Sequence, residues 1–213
     1  MNFRTPTAIA VAATTALLLA ACSGTNSAGG SSSAGGMSGM TMSASPSTSP
    51  SVSAAVVGSF NKQDVLFAQM MAAHHLQAID MADVVLKKSG IDPRVTALAT
   101  TIKNEQTPEI DRMNGWLSSW GSKPVTSSMA GMSMGSGSGM MSMDDMTALA
   151  DASGAKASKL FLTGMITHHT GAITMAKTEI ADGKSADAIT LANSITTSQT
   201  AQIAQMKNLL TSL

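Results

Sequence analysis

The sequence predicts an all-α protein: a four-helix bundle made of two repeated helical hairpins, after a signal peptide and a disordered tether. Three observations carry this. Apolar residues recur every three to four positions from Phe60 onward. Gly90, Gly121 and Gly183 stand where those periodic stretches stop. The second half repeats the first at a fixed register. Phe67, Met71, His74, His75, Ala78, Ile79, Met81 and Ala82 recur as Phe161, Met165, His168, His169, Ala172, Ile173, Met175 and Ala176, an offset of 94. Leu98, Ile102, Gln106, Thr107, Ile110, Met113 and Leu117 recur as Leu191, Ile195, Gln199, Thr200, Ile203, Met206 and Leu210, an offset of 93. One hairpin has an apolar face and no partner; two can bury their faces against each other.

The elements follow in order. Residues 1–21 read as a lipoprotein signal peptide: Arg4, an apolar run from Ala8 to Ala20, then Leu19-Ala20-Ala21-Cys22. The run is shorter than the roughly 20 residues of a membrane-spanning helix. The ending matches a bacterial lipobox, with Cys22 as the acylated residue, so the mature chain is expected on the outer face of a membrane. Residues 22–59 are rich in Ser, Gly, Ala and Thr and carry Met37, Met40 and Met42; they lack the apolar surface to offset ordering entropy. The bundle is expected over 60–213.

Asn61 is a helix cap, with Phe60 and Val65 spaced as a hydrophobic staple and Asp64 in the first turn. The first helix is expected to reach about Lys88, with Lys87 and Lys88 in its last turn. Asp92-Pro93 opens a second helix that runs to about Trp120, kinked at Pro108. A Met-rich loop, 122–146, follows, with a short helix over about Asp144–Ala152. Two more helices are expected, about Ala155–Ala181 and Ser185–Thr211.

Composition narrows the function. The 213 residues carry 13 Lys and Arg against 13 Asp and Glu, so nothing favours nucleic-acid phosphates. Aromatics are 3 % and Tyr is absent, which leaves little stacking surface. One Cys permits neither an intrachain disulfide nor a cysteine zinc cluster. Asp and Glu are scattered, and no nucleophile, oriented base or phosphate loop stands out, so no catalysis is expected. Methionine, by contrast, occurs 18 times.

All four histidines lie in the two copies of the repeat. Met71 is three and four residues before His74 and His75, so it lies one turn from both; Met81 is two turns from His74 on the same face. Met165, His168, His169 and Met175 repeat this. A His and a Met one turn apart can reach one metal ion. Imidazole with thioether suits Cu(I), and by extension Ag(I), better than Mg, Ca or Mn. Zinc normally wants thiolate, imidazole or carboxylate, and no free thiolate is expected here. A di-iron centre needs Glu-x-x-His, and none of Glu105, Glu109 or Glu179 precedes a His by three. Methionine at helical spacing is usually a core filler, and for Met70, Met81 and Met175 taken singly packing is the stronger account, with Met70 kept as an accessory metal donor beside the loop methionines.

The loop adds a separate signal. Met129, Met132, Met134, Met140, Met141, Met143 and Met146 fall among Gly, Ser and Asp, where core filling does not account for them. Such thioethers suit loose Cu(I) capture; compositional drift or a sacrificial oxidant sink is the alternative.

The pattern Phe67-x-x-Met70-Met71-x-x-His74-His75-x-x-Ala78-Ile79-x-Met81-Ala82, then Glu109-Ile110-x-x-Met113 and Trp116-Leu117, resembles the bacterial family called domain of unknown function 305. The resemblance covers Phe60 to Leu213. It implies a ferritin-like four-helix bundle, exported, similar to periplasmic copper-binding proteins. The implied ligands are Met71, His74, His75, Met81, Met165, His168, His169 and Met175. The second copy departs at Gln202, opposite Glu109, and at Ser158, opposite Asp64.

The expectation is therefore a lipid-anchored, extracytoplasmic protein that binds Cu(I), with Cu(II) or Ag(I) as further guests, for tolerance, storage or delivery. Its partners would be the metal ion, the membrane through its anchor and other copper-handling proteins. The competing expectations are a lipoprotein that uses the bundle as a docking module and a metal-dependent redox enzyme.

Overall fold

A computed structural model describes residues 58–126 and 138–213. The signal sequence, Cys22, Met37, Met40, Met42, Met129, Met132 and Met134 lie outside the described residues. The rest is all α: α1 (Lys62–Leu86), α2 (Pro93–Ser119), α3 (Met143–Asp151), α4 (Gly154–Asp182) and α5 (Ala186–Thr211). No described helix is long and apolar enough to cross a membrane.

Local chemistry explains the boundaries. Asn61 accepts from the N–H groups of Gln63 (2.7 Å) and Asp64 (3.1 Å), and Asp64 returns the contact to the Asn61 N–H. This capping box satisfies donors that the first turn leaves unpaired. Phe60 stacks on Trp120 at 5.0 Å between ring centroids. The first helix stops at Leu86, earlier than its sequence suggests. Lys87 is the C-cap, so neither Lys87 nor Lys88 belongs to the last turn. The chain reverses at Gly90, φ +72°, a value costly for any residue with a Cβ.

Asp92 accepts from the Arg94 N–H at 2.8 Å and starts α2, which stays helical through Pro108. Ser142 and Asp145 form a second capping box at α3, and the Ser185 hydroxyl accepts from the Ala188 N–H at the start of α5.

Helix α1 pairs with α2, and α4 with α5. The hairpins meet along α1 and α4, with α3 against both, while α2 and α5 barely touch. Two apolar clusters result. One holds Phe67 and Met71 from α1 with Ala172 and Ala176 from α4. The other holds Met81 and Val85 from α1 with Phe161 and Met165 from α4. The first half of α1 thus shares a cluster with the second half of α4, and the reverse. Equivalent residues of the two copies, such as Phe67 and Phe161, lie in opposite clusters. Along both helices the histidine pair falls between the two apolar stretches.

The copies also exchange end contacts. The Asp64 carboxylate accepts from the N–H groups of Lys184 (2.9 Å) and Ser185 (2.8 Å) in the α4–α5 turn. Its counterpart Ser158 accepts, at 3.4 Å, from the Asp92 N–H in the α1–α2 turn. The Asp-to-Ser departure therefore preserves the role with a weaker acceptor.

Candidate metal centre

His74 and His75 project from α1, and His168 and His169 from α4; all four are fully buried. The rings of His74 and His168 lie 3.6 Å apart between centroids, tilted by 38°. His169 is 6.3 Å from His168 by the same measure. The two copies of the repeat meet at equivalent residues.

Each outer imidazole has an oxygen partner on its own hairpin. His75 Nε2 is 2.8 Å from Glu109 Oε2. His169 Nε2 is 2.6 Å from Gln202 Oε1, and the Gln202 amide donates onward to Glu105 Oε2 at 2.7 Å. His74 Nε2 is 2.8 Å from the Ser138 carbonyl oxygen. A carbonyl only accepts, so His74 carries its proton on Nε2 and turns a lone pair outward on Nδ1. The Nδ1 atoms of His74, His75 and His169, and both ring nitrogens of His168, are buried with no hydrogen-bond partner among the described residues. Buried polar atoms are normally satisfied, and each orphan costs about 1–3 kcal/mol. Their concentration in one layer is a chemical invitation to a Lewis acid.

The protonation states agree. Burial, then the charge of His75, pushes His74 down to about 3. Burial brings His169 to about 4 and holds His168 well below its ordinary value, with His74 as the next cause for His168. These three imidazoles are neutral at neutral pH, the form that binds metals.

The methionines divide differently from the sequence expectation. Met71, Met81 and Met165 are fully buried. Met71 shares a cluster with half-buried Met175, and Met81 shares the other with Met165. Thioethers that sequence spacing grouped within one copy are thus sorted across copies. Met70 is half-buried and Met143 is 87 % exposed. Met141 and Met146 pack against the Met81 cluster, which corrects the expectation that loop methionines have no part in a core.

Met141 sits on a built seat. Gln77 accepts from the Met141 N–H at 2.8 Å and donates to its carbonyl at 2.9 Å, copying a backbone pairing. The Met141 sulfur lies 2.8 Å from where a Cβ on Gly164 would stand. A Cβ on Gly171 would meet the Ser138 oxygen at 1.7 Å. These two glycines let the 138–141 strap press onto α4. Half-buried Met140 lines, with Met141, Asp145 and Thr163, a cavity of about 230 Å³ beside the strap.

No group of three or more His, Cys, Asp or Glu suited to a metal ion occurs among the described residues. A site here would depend on imidazole together with thioether, a donor set for soft ions. Sequence reasoning gave no role to Gln77, Glu105, Gln106 or Gln199. Gln106 and Gln199 are buried at matching positions of the two copies, with unpartnered amide atoms. A polar residue repeated in the apolar stripe of both copies was the available signal. Glu109 and Gln202, which looked like a broken match, share one function: each offers an oxygen to the second histidine of its pair.

Comparison with known proteins gives consistent relatives. The family profile described as Domain of unknown function (DUF305) matches residues 64–210. A DUF305 fragment from Deinococcus radiodurans is 29 % identical, with TM-score 0.63, covering 72 % of this chain and 98 % of its own. A DUF305 protein from Streptomyces coelicolor is 30 % identical, with TM-score 0.63 and coverages of 74 % and 95 %. CopM in its Cu(II)-bound form is 36 % identical, with TM-score 0.59 and coverages of 68 % and 94 %. CopM is also known in Cu(I)-bound and Ag-bound forms, each 32 % identical to this chain. Among curated proteins there is no match.

Proposed function

The chain belongs to the DUF305 family, and from that premise we propose that it is an extracytoplasmic, Cys22-anchored four-helix-bundle protein that binds Cu(I) for tolerance, storage or delivery. One observation carries the proposal: a buried imidazole layer whose Nε2 atoms face oxygen acceptors at three histidines while the Nδ1 atoms have no hydrogen-bond partner among the described residues. Metal-ligating histidines commonly use one nitrogen for the ion and the other for such an acceptor. In this reading His74, His75, His168 and His169 form the fixed donors. Met71, Met81, Met165 and Met175 complete them from the two flanking clusters. Met141 and the remaining loop methionines collect ions and pass them inward. Ag(I) and Cu(II) are secondary guests, in keeping with the relatives known with silver and with Cu(II). The role proposed is binding, not catalysis.

Anaerobic Cu(I) titration against a chromophoric chelator tests this. The wild type should compete for copper, and a variant with all four histidines changed to Ala should not. Unchanged uptake in that variant would remove the bundle centre. Copper tolerance that survives the same variant in cells would favour a docking role for the bundle.

A further inference from the structure

We infer that Glu105 is a positioning residue that acts through Gln202 to fix the proton of His169 on Nε2, leaving Nδ1 as its free donor. The chain of contacts is short: Glu105 Oε2 to Gln202 Nε2 at 2.7 Å, then Gln202 Oε1 to His169 Nε2 at 2.6 Å. A carboxamide can present either end to an imidazole. Its oxygen selects the Nε2–H tautomer, whereas its NH2 group selects the opposite one. What decides is the group at the far end. As a carboxylate, Glu105 only accepts, so it draws the NH2 toward itself and turns the oxygen to His169.

The relay crosses the molecule. Glu105 is on α2, in the first hairpin, and Gln202 is on α5, in the second, two helices that otherwise barely touch. The counterpart of Glu105 in the second copy is Ser198, so this contact has no equivalent acid in the repeat. The two outer histidines are therefore oriented to the same end by unequal means. His75 faces a carboxylate directly through Glu109, while His169 faces an amide oxygen with a carboxylate behind it. Bonds to charged acceptors are stronger than bonds to neutral ones, so His75 becomes the more electron-rich donor. The two halves of the centre are thereby graded, with His75 the tighter end and His169 the looser.

The grading rests on the copper-binding proposal; the tautomer relay does not. The first experiment accordingly uses metal-free, 15N-labelled protein and the long-range proton–nitrogen correlations of the His169 ring. Wild type should show an unprotonated Nδ1 and a protonated Nε2. Glu105→Ala frees the amide to rotate, and the Nδ1 signal should move toward the protonated range. Glu105→Gln supplies another oxygen acceptor and should restore most of the wild-type pattern. Gln202→Glu places an oxygen acceptor directly on His169, so adding Glu105→Ala to it should change nothing. Glu105 is exposed, so its replacement leaves the core intact, and a helical circular dichroism spectrum checks this. A wild-type Nδ1 signal in Glu105→Ala would overturn the relay. Cu(I) competition then reads the grading: affinity should fall about tenfold in Glu105→Ala and recover in the double variant. If wild type takes up no Cu(I), the copper proposal and the grading fall together, while the nitrogen shifts still decide the relay.

Discussion

His74 and His168, equivalent residues of an internal repeat, lie ring against ring at 3.6 Å between centroids where α1 meets α4. Neither ring is exposed. The contact combines what metal binding requires with what folding disfavours, because His168 has no partner for either nitrogen among the described residues.

Replacing that residue should therefore separate the two demands. In His168→Leu two orphaned ring nitrogens vanish from the buried imidazole layer. Stability of the metal-free protein should rise by about 1–2 kcal/mol in urea unfolding, since unsatisfied buried groups cost that order. Cu(I) uptake should fall in the same variant. A less stable variant would mean that the imidazole is held by contacts worth more than its desolvation.

Acid should unfold the protein through the same layer. His74 and His169 are held at about 3 and about 4 in the fold against an ordinary 6.5. Between those values the unfolded chain binds more protons than the native one, so stability falls as pH drops from 6.5 toward 3. Urea midpoints of metal-free protein across that range should show this decline. The four-His-to-Ala variant should show much less of it.

Glu179 should give a trend of opposite sign. It is fully buried beside Asp64, and burial, then Asp64, pushes it up to about 8 from 4.5. Gly183 leaves room for its carboxyl group, since a Cβ there would stand 2.4 Å from Glu179 Oε1. Between pH 4.5 and 8 the native state holds a proton that the unfolded chain has lost, so stability declines as pH rises through this window. Glu179→Gln should remove that decline and leave stability below pH 4.5 little changed. Parallel pH–stability profiles of the two proteins would contradict the assignment.

The strap is testable through one methyl group. Gly171→Ala puts a Cβ onto the Ser138 backbone, which cannot swing away as a flexible side chain would. The strap should lift, releasing His74 Nε2 from the Ser138 oxygen, at a cost of about 1–3 kcal/mol. Hydrogen exchange at the Met141 N–H, now clamped by Gln77, should accelerate strongly. Unchanged exchange there would show that the strap is seated by other contacts.

Much of the architecture could be read from residue order because it depends on short-range rules. Asn61, Asp92 and Ser185 cap helices where their types suggest, and the constant offset between Phe67 and Phe161 gave the duplication directly. The end of α1 is less legible, because Lys87 and Lys88 suit a last turn electrostatically, yet the helix stops at Leu86 ahead of the reversal at Gly90. The histidines were legible as a repeated pair. Their surroundings were not. Met71 shares a cluster with Met175 because α1 and α4 run in opposite directions, and spacing within one helix carries no information about that. Gln202 and Glu105 are 97 residues apart, so their contact exists only once the hairpins dock. The packing of Met141 is illegible in its own segment because its seat is made elsewhere, by Gln77 on α1 and by the missing side chain of Gly164 on α4.

The opposed run of α1 and α4 also fixes what one hairpin lacks by itself. A single hairpin supplies one half of each apolar cluster and one of the two facing rings. Alone it would leave a greasy flank bare to water, and a twin turned by half a revolution would cover it. The present chain carries that twin on the same polypeptide, so the two sides can differ, as they do at Glu109 and Gln202, and still stay together.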